Sequence, residues 1–187
     1  MIHLKRLYAH NFKQLQEIDL RFPERARVLV QGKNEAGKST LFEAVFFALF
    51  GAALATETGA RSLDDLIRYE VEKAVVELDL QFGNRLFKIK RTVVRNKSNA
   101  WELDVERDGA IVEEIRGNTV VNKRLIAELG FDGDALLNTC FVEQKKLEKL
   151  EGLSRSKREE SLARLLNLDQ LVQIENELKV GAEDKRG

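Results

Sequence analysis

The stretch Gly32-Lys33-Asn34-Glu35-Ala36-Gly37-Lys38-Ser39-Thr40 constrains this chain more than any other segment of it. It fits the pattern G-x-x-x-x-G-K-[ST], and its setting matters as much as its letters. Before it, Arg27-Val28-Leu29-Val30-Gln31 reads as a short apolar strand. After it, Leu41, Phe42, Val45, Phe46 and Leu49 recur at spacings of three and four, which predicts a helix from Lys38 that Gly51 is placed to close. A strand passing through glycines into a helix turns successive backbone N–H groups inward, with the positive end of the helix behind them. Phosphate oxygens are the natural occupants of such a ring. Lys38 adds a charge near the β- and γ-phosphates of a nucleoside triphosphate, and the Ser39 hydroxyl is offered to magnesium. A glycine-rich turn with a solvent lysine would share the letters, but it would not need an apolar strand and an apolar helix on either side.

The chain has 187 residues, 43% of them hydrophobic, enough to bury one sizeable core. Its formal net charge is +0, so bulk charge points to neither nucleic acid nor membrane, while a local basic face remains open. Charged residues of both signs make up 33%, the composition of a soluble intracellular protein. Cys140 is the single cysteine, so no internal disulfide can form, which suits a reducing compartment. The opening Met1-Ile2-His3-Leu4-Lys5-Arg6 carries no apolar core after its positive charges and is not a secretory signal. The longest apolar run, residues 44–55, is shorter than the roughly 20 residues a membrane span needs and contains Gly51. No membrane segment is expected.

Two strands are predicted at residues 2–9 and 16–22, around a turn at 11–14, with Pro23 ending the second. Residues 56–60 are small and polar, as a loop is. Residues 74–82 alternate apolar and polar positions, Gly83-Asn84 suits a tight turn, and residues 85–94 return. Residues 101–106 alternate again, and Asp108-Gly109 turns the chain into residues 110–112. This is an antiparallel β-meander. Helices follow at 118–129, closed by Gly130, and at 134–138. From Arg155 the chain is charged and proline-free: Leu162, Leu165 and Leu166 form one stripe, and Leu171, Ile174 and Leu178 another at heptad-like spacing. Asp169 would cap the second helix, the start of a coiled coil or of an ordinary amphipathic helix. The expected organisation is an α/β nucleotide-binding lobe over residues 1–150 and helices leading into a coiled coil over 151–187.

No N-K-x-D stretch reads guanine and no D-x-x-G follows the loop, which leaves adenine nucleotides. The acidic pair that a P-loop ATPase keeps at the end of a second apolar strand is missing too. Its nearest counterpart, Glu113-Glu114, follows a hairpin turn and reads as a surface strand end.

At this point the order of motifs resembles a known family. Asn11-Phe12-Lys13 follows the first strand, then the glycine loop continues into Leu41-Phe42-Glu43-Ala44. After the meander stands Phe141-Val142-Glu143-Gln144, and a basic leucine-rich helix ends in Leu166-Asn167-Leu168-Asp169. This looks like the N-terminal half of an SMC-like ATPase of the Rad-fifty/SbcC type, members of the ABC ATPase superfamily that act in DNA double-strand-break repair. The resemblance covers essentially the whole chain. It implies ATP and Mg2+ as ligands, with Gly32, Asn34, Glu35, Ala36, Gly37, Lys38, Ser39 and Thr40 around the nucleotide, and Lys38 and Gln144 in catalysis. Ser39 and Gln144 would meet the metal. Lys13 stands where close relatives carry an arginine near the nucleotide, and a lysine cannot make the same forked contact. Glu35 replaces a glycine usual in relatives.

The resemblance further implies a homodimer around ATP, and a C-terminal lobe of the same protein that supplies the signature motif and acidic strand end. DNA, a nuclease of the SbcD/Mre-eleven type and a cytoplasmic, nucleoid-associated or (in a eukaryote) nuclear location are implied as well, with no membrane. Without the C-terminal lobe, the ATPase should be nearly inactive. The alternatives are a transporter's nucleotide-binding subunit and a coiled-coil ATPase of structure or defence. Arg85, Lys88, Lys90 and Arg91, with Arg95 and Lys97, form a basic stretch on the meander. DNA phosphates would explain it, and so would a solvated strand face. Trp101 and Cys140 read as core residues, and His3 and His10 are too isolated for a metal site.

Overall fold

The computed structural model describes residues 2–24, 28–34, 36–54 and 62–139. Six antiparallel strands form one sheet: β1 (Ile2–Phe12), β2 (Leu15–Arg21), β3 (Lys73–Phe82), β4 (Arg85–Val94), β5 (Ala100–Arg107) and β6 (Ala110–Arg116). Their order across the sheet is β2-β1-β3-β4-β5-β6. The meander is present as predicted, but it does not stand apart. Its first strand pairs with β1, so the N-terminal hairpin and the meander share one sheet. Turn chemistry fixes the register. Asp108 and Gly109 both take positive φ, the geometry of a two-residue hairpin turn between right-twisted strands.

The period-2 pattern gives the sheet an apolar face and a charged face. Ala74, Val76, Leu78, Leu80 and Phe82 of β3 are all buried, as are Leu7 and Ala9 of β1 and Phe87 and Ile89 of β4. Onto this face pack α1 (Lys38–Phe50) and α2 (Asn118–Leu129), through Phe46, Phe47, Val121 and Leu125. Phe47 meets Phe12 at 5.7 Å and Trp101, which is partly exposed, at 5.9 Å between ring centroids, so Trp101 packs against the border of the core.

The far end of α1 is the most demanding part of this packing. Phe46 through Phe50 are all buried, so the last four carbonyls of the helix cannot turn to water. Each has a donor. Gly51 takes the left-handed conformation and its N–H reaches Phe47 O at 2.8 Å. Arg91, a β4 residue with no exposed surface, donates from Nε to Ala48 O at 2.5 Å and from Nη2 to Leu49 O at 2.9 Å. Asn122 Nδ2 of α2 donates to Phe50 O at 2.9 Å, while its Oδ1 accepts from Arg91 Nη2 at 2.7 Å. The guanidinium lies 5.2 Å from the centroid of Trp101. Burial pulls its pKa down to about 9, so it remains charged at neutral pH.

A connection that the sequence reading passed over ties the start of the sheet to the region before β3. Ser62 and Asp65 form a reciprocal capping box around a short 3-10 turn, Leu63–Leu66. From it, Leu66 O accepts the Lys13 N–H at 2.8 Å, and the Arg68 N–H reaches Asn11 O at 2.9 Å. The Ser-x-x-Asp spacing was the available signal.

One expected element is absent. Residues 28–31 form no strand, and Val28 and Leu29 are 56% and 78% exposed. A strand needs a neighbour to take its N–H and C=O groups, and among the described residues the sheet offers none. The segment 131–187 is a second unit, described here only for α3 (Gly133–Thr139), which Asp132 opens by accepting the Ala135 N–H at 2.9 Å. The predicted loop at 56–60, Cys140, Gln144 and the expected coiled coil lie outside the described residues. No described helix is long and apolar enough to cross a membrane.

Gly51 is held by both conformation and space. A Cβ there would sit 2.5 Å from Arg91 Nη1 and 2.8 Å from Asn118 Oδ1, at φ +66. Gly51→Ala is therefore expected to destabilise the fold by about 2 kcal/mol or more, since left-handed strain and displacement of the Arg91 fork add. Urea denaturation followed by circular dichroism measures it, as a fall in the midpoint.

Candidate functional site

The glycine loop runs from Gly32 into α1 through Gly37, whose φ of 86° an L side chain would resist. Leu15 Cδ2 would lie 3.3 Å from a Cβ at Gly37, and Gln14 Oε1 3.7 Å, so the β1–β2 turn forms a wall directly against the loop. The start of α1 carries no side-chain cap and no acidic residue in its first turn. Ser39 stands exposed at this end, Thr40 beside it is buried, and Asn34 and Ala36 are exposed on the loop. Lys38 folds back over the loop, donating from Nζ to Gly32 O at 2.7 Å and Lys33 O at 2.6 Å. An uncapped helix N-terminus, an ammonium group poised above the loop and a neighbouring hydroxyl form a donor set suited to a polyphosphate and its cation. Glu35 and Gln144 lie outside the described residues.

Lys13 takes φ of 50° in the β1–β2 turn and pairs through Nζ with the buried Glu43 carboxylate on α1. It thus stands one helical turn beyond Ser39, on the side of α1 that faces the turn. Glu43 was not singled out in the sequence; its position four residues after Ser39 on an otherwise apolar helix face was the signal.

The basic stretch is distributed differently from the expectation. Arg91 is fully buried and committed to α1, so neither phosphate contact nor a solvated strand face applies at that residue. Lys88 and Lys90 do lie on the charged face, in rows of alternating sign. One row runs Arg6, Asp79, Lys88 and Asp104 across β1, β3, β4 and β5. The next runs Glu77, Lys90, Glu102 and Arg116 across β3 to β6. Lys88 reaches Glu106 at 2.5 Å, Lys90 reaches Glu77 at 3.4 Å, and Arg85 pairs with Glu128 of α2. These rows line an open groove of about 510 Å³ on the side of the sheet away from α1. In it, burial raises the Asp79 pKa above the ordinary carboxylate value, against the opposing pull of Arg6 and Lys88. Glu113, on the edge strand β6, grips Arg124 with contacts of 2.9 and 3.1 Å, and Arg124 in turn holds the Glu113 pKa down. The pair ties the edge strand β6 to α2.

Residues 6–185 match the family model described as an AAA domain. The chain belongs to that family, and within it is an SMC-like N-terminal ATPase lobe of the Rad50/SbcC type. It is 34% identical over 174 residues to the DNA double-strand break repair Rad50 ATPase of Methanocaldococcus jannaschii, an alignment covering 89% of this chain and 16% of that protein. It is 32% identical over 141 residues to Arcadin-4 of Pyrobaculum calidifontis, covering 75% of this chain and 17% of the relative. The chain thus spans about one sixth of the length of these relatives. Among solved structures it resembles a chain from work on ATP-driven dimerization and DNA-stimulated activation of SMC ATPases. There the TM-score is 0.60 at 20% identity, over 89% of this chain and 98% of that one, a likeness of fold.

Two predictions follow from the charged face. Asp79 has a folded pKa above its unfolded one, so its ionisation opposes folding at neutral pH and is relieved as pH falls through that window. Asp79→Asn should raise the thermal midpoint at pH 7, and the gain should shrink as pH approaches 4. Lys88→Glu with Lys90→Glu would set carboxylates between Asp79 and Asp104 and between Glu77 and Glu102. This double reversal should destabilise by about 1–2 kcal/mol through new like-charge pairs, measured by denaturant titration, whereas the double Met variant should stay closer to wild type.

Proposed function

We propose that this chain is the ATP-binding N-terminal lobe of an SMC-like ATPase that dimerises around ATP and acts on DNA ends in double-strand-break repair. The observation that carries the reading is the loop from Gly32 to Thr40, opening into an uncapped helix N-terminus within a chain of the Rad50/SbcC-type family. The loop amides and Lys38 hold the phosphates; Ser39 holds magnesium, which when bound neutralises charge on the β- and γ-phosphate oxygens. Asn34, Glu35 and Ala36 border the γ-phosphate on the side facing a partner subunit. Gln144 reaches the metal and the attacking water. Lys13, released from Glu43, is the group of the β1–β2 turn available to the nucleotide.

Water activation and transition-state charge need groups from a C-terminal lobe of the same protein and from the second subunit of the dimer. A nuclease of the SbcD/Mre-eleven type completes the assembly. DNA contact through Lys88 and Lys90 requires phosphates to compete with their acidic partners, and Arg85 lies on the opposite side of β4, paired with Glu128 of α2, so the outer face contributes less than the count of cations suggests. A second reading is an ATPase of the same family working outside repair, since the relatives that match are not all named for repair. The two readings share the nucleotide site and part on DNA.

Lys38→Ala is expected to weaken magnesium-ATP binding at least about tenfold in calorimetry, by removing the charge that meets the phosphates. Equal binding by wild type and variant would refute the site. The chain alone is expected to hydrolyse ATP negligibly, and addition of a matching C-terminal lobe to restore turnover that Gln144→Ala then lowers. If the reassembled dimer binds no DNA with or without ATP, the non-repair reading replaces the first.

A further inference from the structure

Helix α1 is held at both ends: Thr40, Glu43 and Ala44 are buried near its start and Phe46 to Phe50 at its far end, while Ser39 and Phe42 face outward. The helix has 13 residues, a length of about 20 Å. A tilt of about 10° at its far end would carry Lys38 and Ser39 through about 3 Å, several times the roughly 0.5 Å within which a binding constellation must be held.

We propose that Arg91, acting with Asn122 through the C-terminal end of α1, is a positioning residue for the phosphate-binding loop at the other end of that helix. The inference rests on the reading of the loop as a nucleotide site. Arg91 sits at the middle of the sheet, its backbone paired with Val76 on one side and Trp101 on the other. Its own place is therefore set by three strands. From there its planar fork reaches two successive carbonyls, Ala48 O and Leu49 O, which fixes the direction of the helix end as well as its distance. Asn122 adds the third carbonyl and closes the fork from α2. The negative end of the helix dipole faces the guanidinium, and no hydrogen bond or ion pair to a carboxylate is found for it among the described residues. An arginine that served only to fill the core would be replaceable by an apolar side chain of the same length. One that served only as an ion-pair partner would face an acid.

The test compares wild type with Arg91→Lys, Asn122→Ala and Lys38→Ala, at a temperature where circular dichroism shows each folded. Lysine keeps the charge but cannot reach both carbonyls in the fork geometry. Asn122→Ala removes the half-exposed bridge without opening the core, so it decides the matter should Arg91→Lys fail to fold. Calorimetry with magnesium-ATP and magnesium-ADP is expected to show about tenfold weaker binding for Arg91→Lys and a smaller loss for Asn122→Ala, because the loop donors would no longer be held in place. Hydrogen exchange should quicken at the amides of Leu41 and Phe42, at the loop end of α1, as well as at Leu49 to Gly51. Wild-type affinity in both variants, with faster exchange confined to Leu49 to Gly51, would overturn the proposal. If wild type and Lys38→Ala bind nucleotide equally, the reading of the loop fails instead, and the exchange at Leu41 and Phe42 still decides whether Arg91 sets the helix.

Discussion

Burying the end of a helix leaves four carbonyls that water can no longer reach, and how this chain meets that demand organises the lobe. The donors come from three places in the sequence: the Gly51 backbone, Arg91 on β4 and Asn122 on α2. No one of them is interchangeable with an apolar residue, because each removed donor strands a buried acceptor, at about 1–3 kcal/mol. Gly51 has to lack a Cβ for Arg91 to approach, and Arg91 has to reach past Trp101 to meet the helix. The sheet, the loop helix and the helix after the meander are thereby fixed to one another by polar contacts with direction, where apolar packing alone would allow sliding.

The two faces of the sheet follow different physics. On the inner face the residues are large and apolar, and their order matters through shape. On the outer face Arg6, Asp79, Lys88 and Asp104 form one cross-strand row, and Glu77, Lys90, Glu102 and Arg116 the next. Exposed pairs of this kind add little stability each. Register is held by the inner face, since a slip of one residue would turn the apolar set outward; the outward cations of β4, Lys88 and Lys90, meet acids of β3 and β5 on either side.

Much of this was legible in the residues. The strands of the meander, the helix at residues 38–50 and the helix at 118–129 were set by period and by Gly-containing turns, which act locally. The glycine loop was legible because its function demands a backbone path that few sequences can follow. What stayed hidden was long-range. Arg91 looked like one more cation in a basic stretch, because sequence shows the charge and not the face of the strand; in strict alternation from Arg85 through Phe87 and Ile89 it falls on the inward set. Glu43 was hidden for the same reason on α1. The apolar run at residues 28–31 met every local test for a strand and failed because strands are a property of pairs.

The two ends of α1 then make sense together. Its C-terminal end is satisfied completely, with an arginine opposite the negative pole and a donor for each carbonyl. Its N-terminal end has no side-chain cap and no acid in the first turn, although a serine, aspartate or asparagine at the cap position is the common solution and would stabilise an isolated lobe by about 1 kcal/mol. Glycine stands there instead, in a left-handed conformation. A helix closed so thoroughly at one end and left open at the other concentrates its unsatisfied N–H groups, and the positive pole of its dipole, at the loop where Lys38 folds over. The stability given up at the open end is recovered when an anion of matching shape binds, which makes the loop a place where ligand binding and helix formation share one free energy.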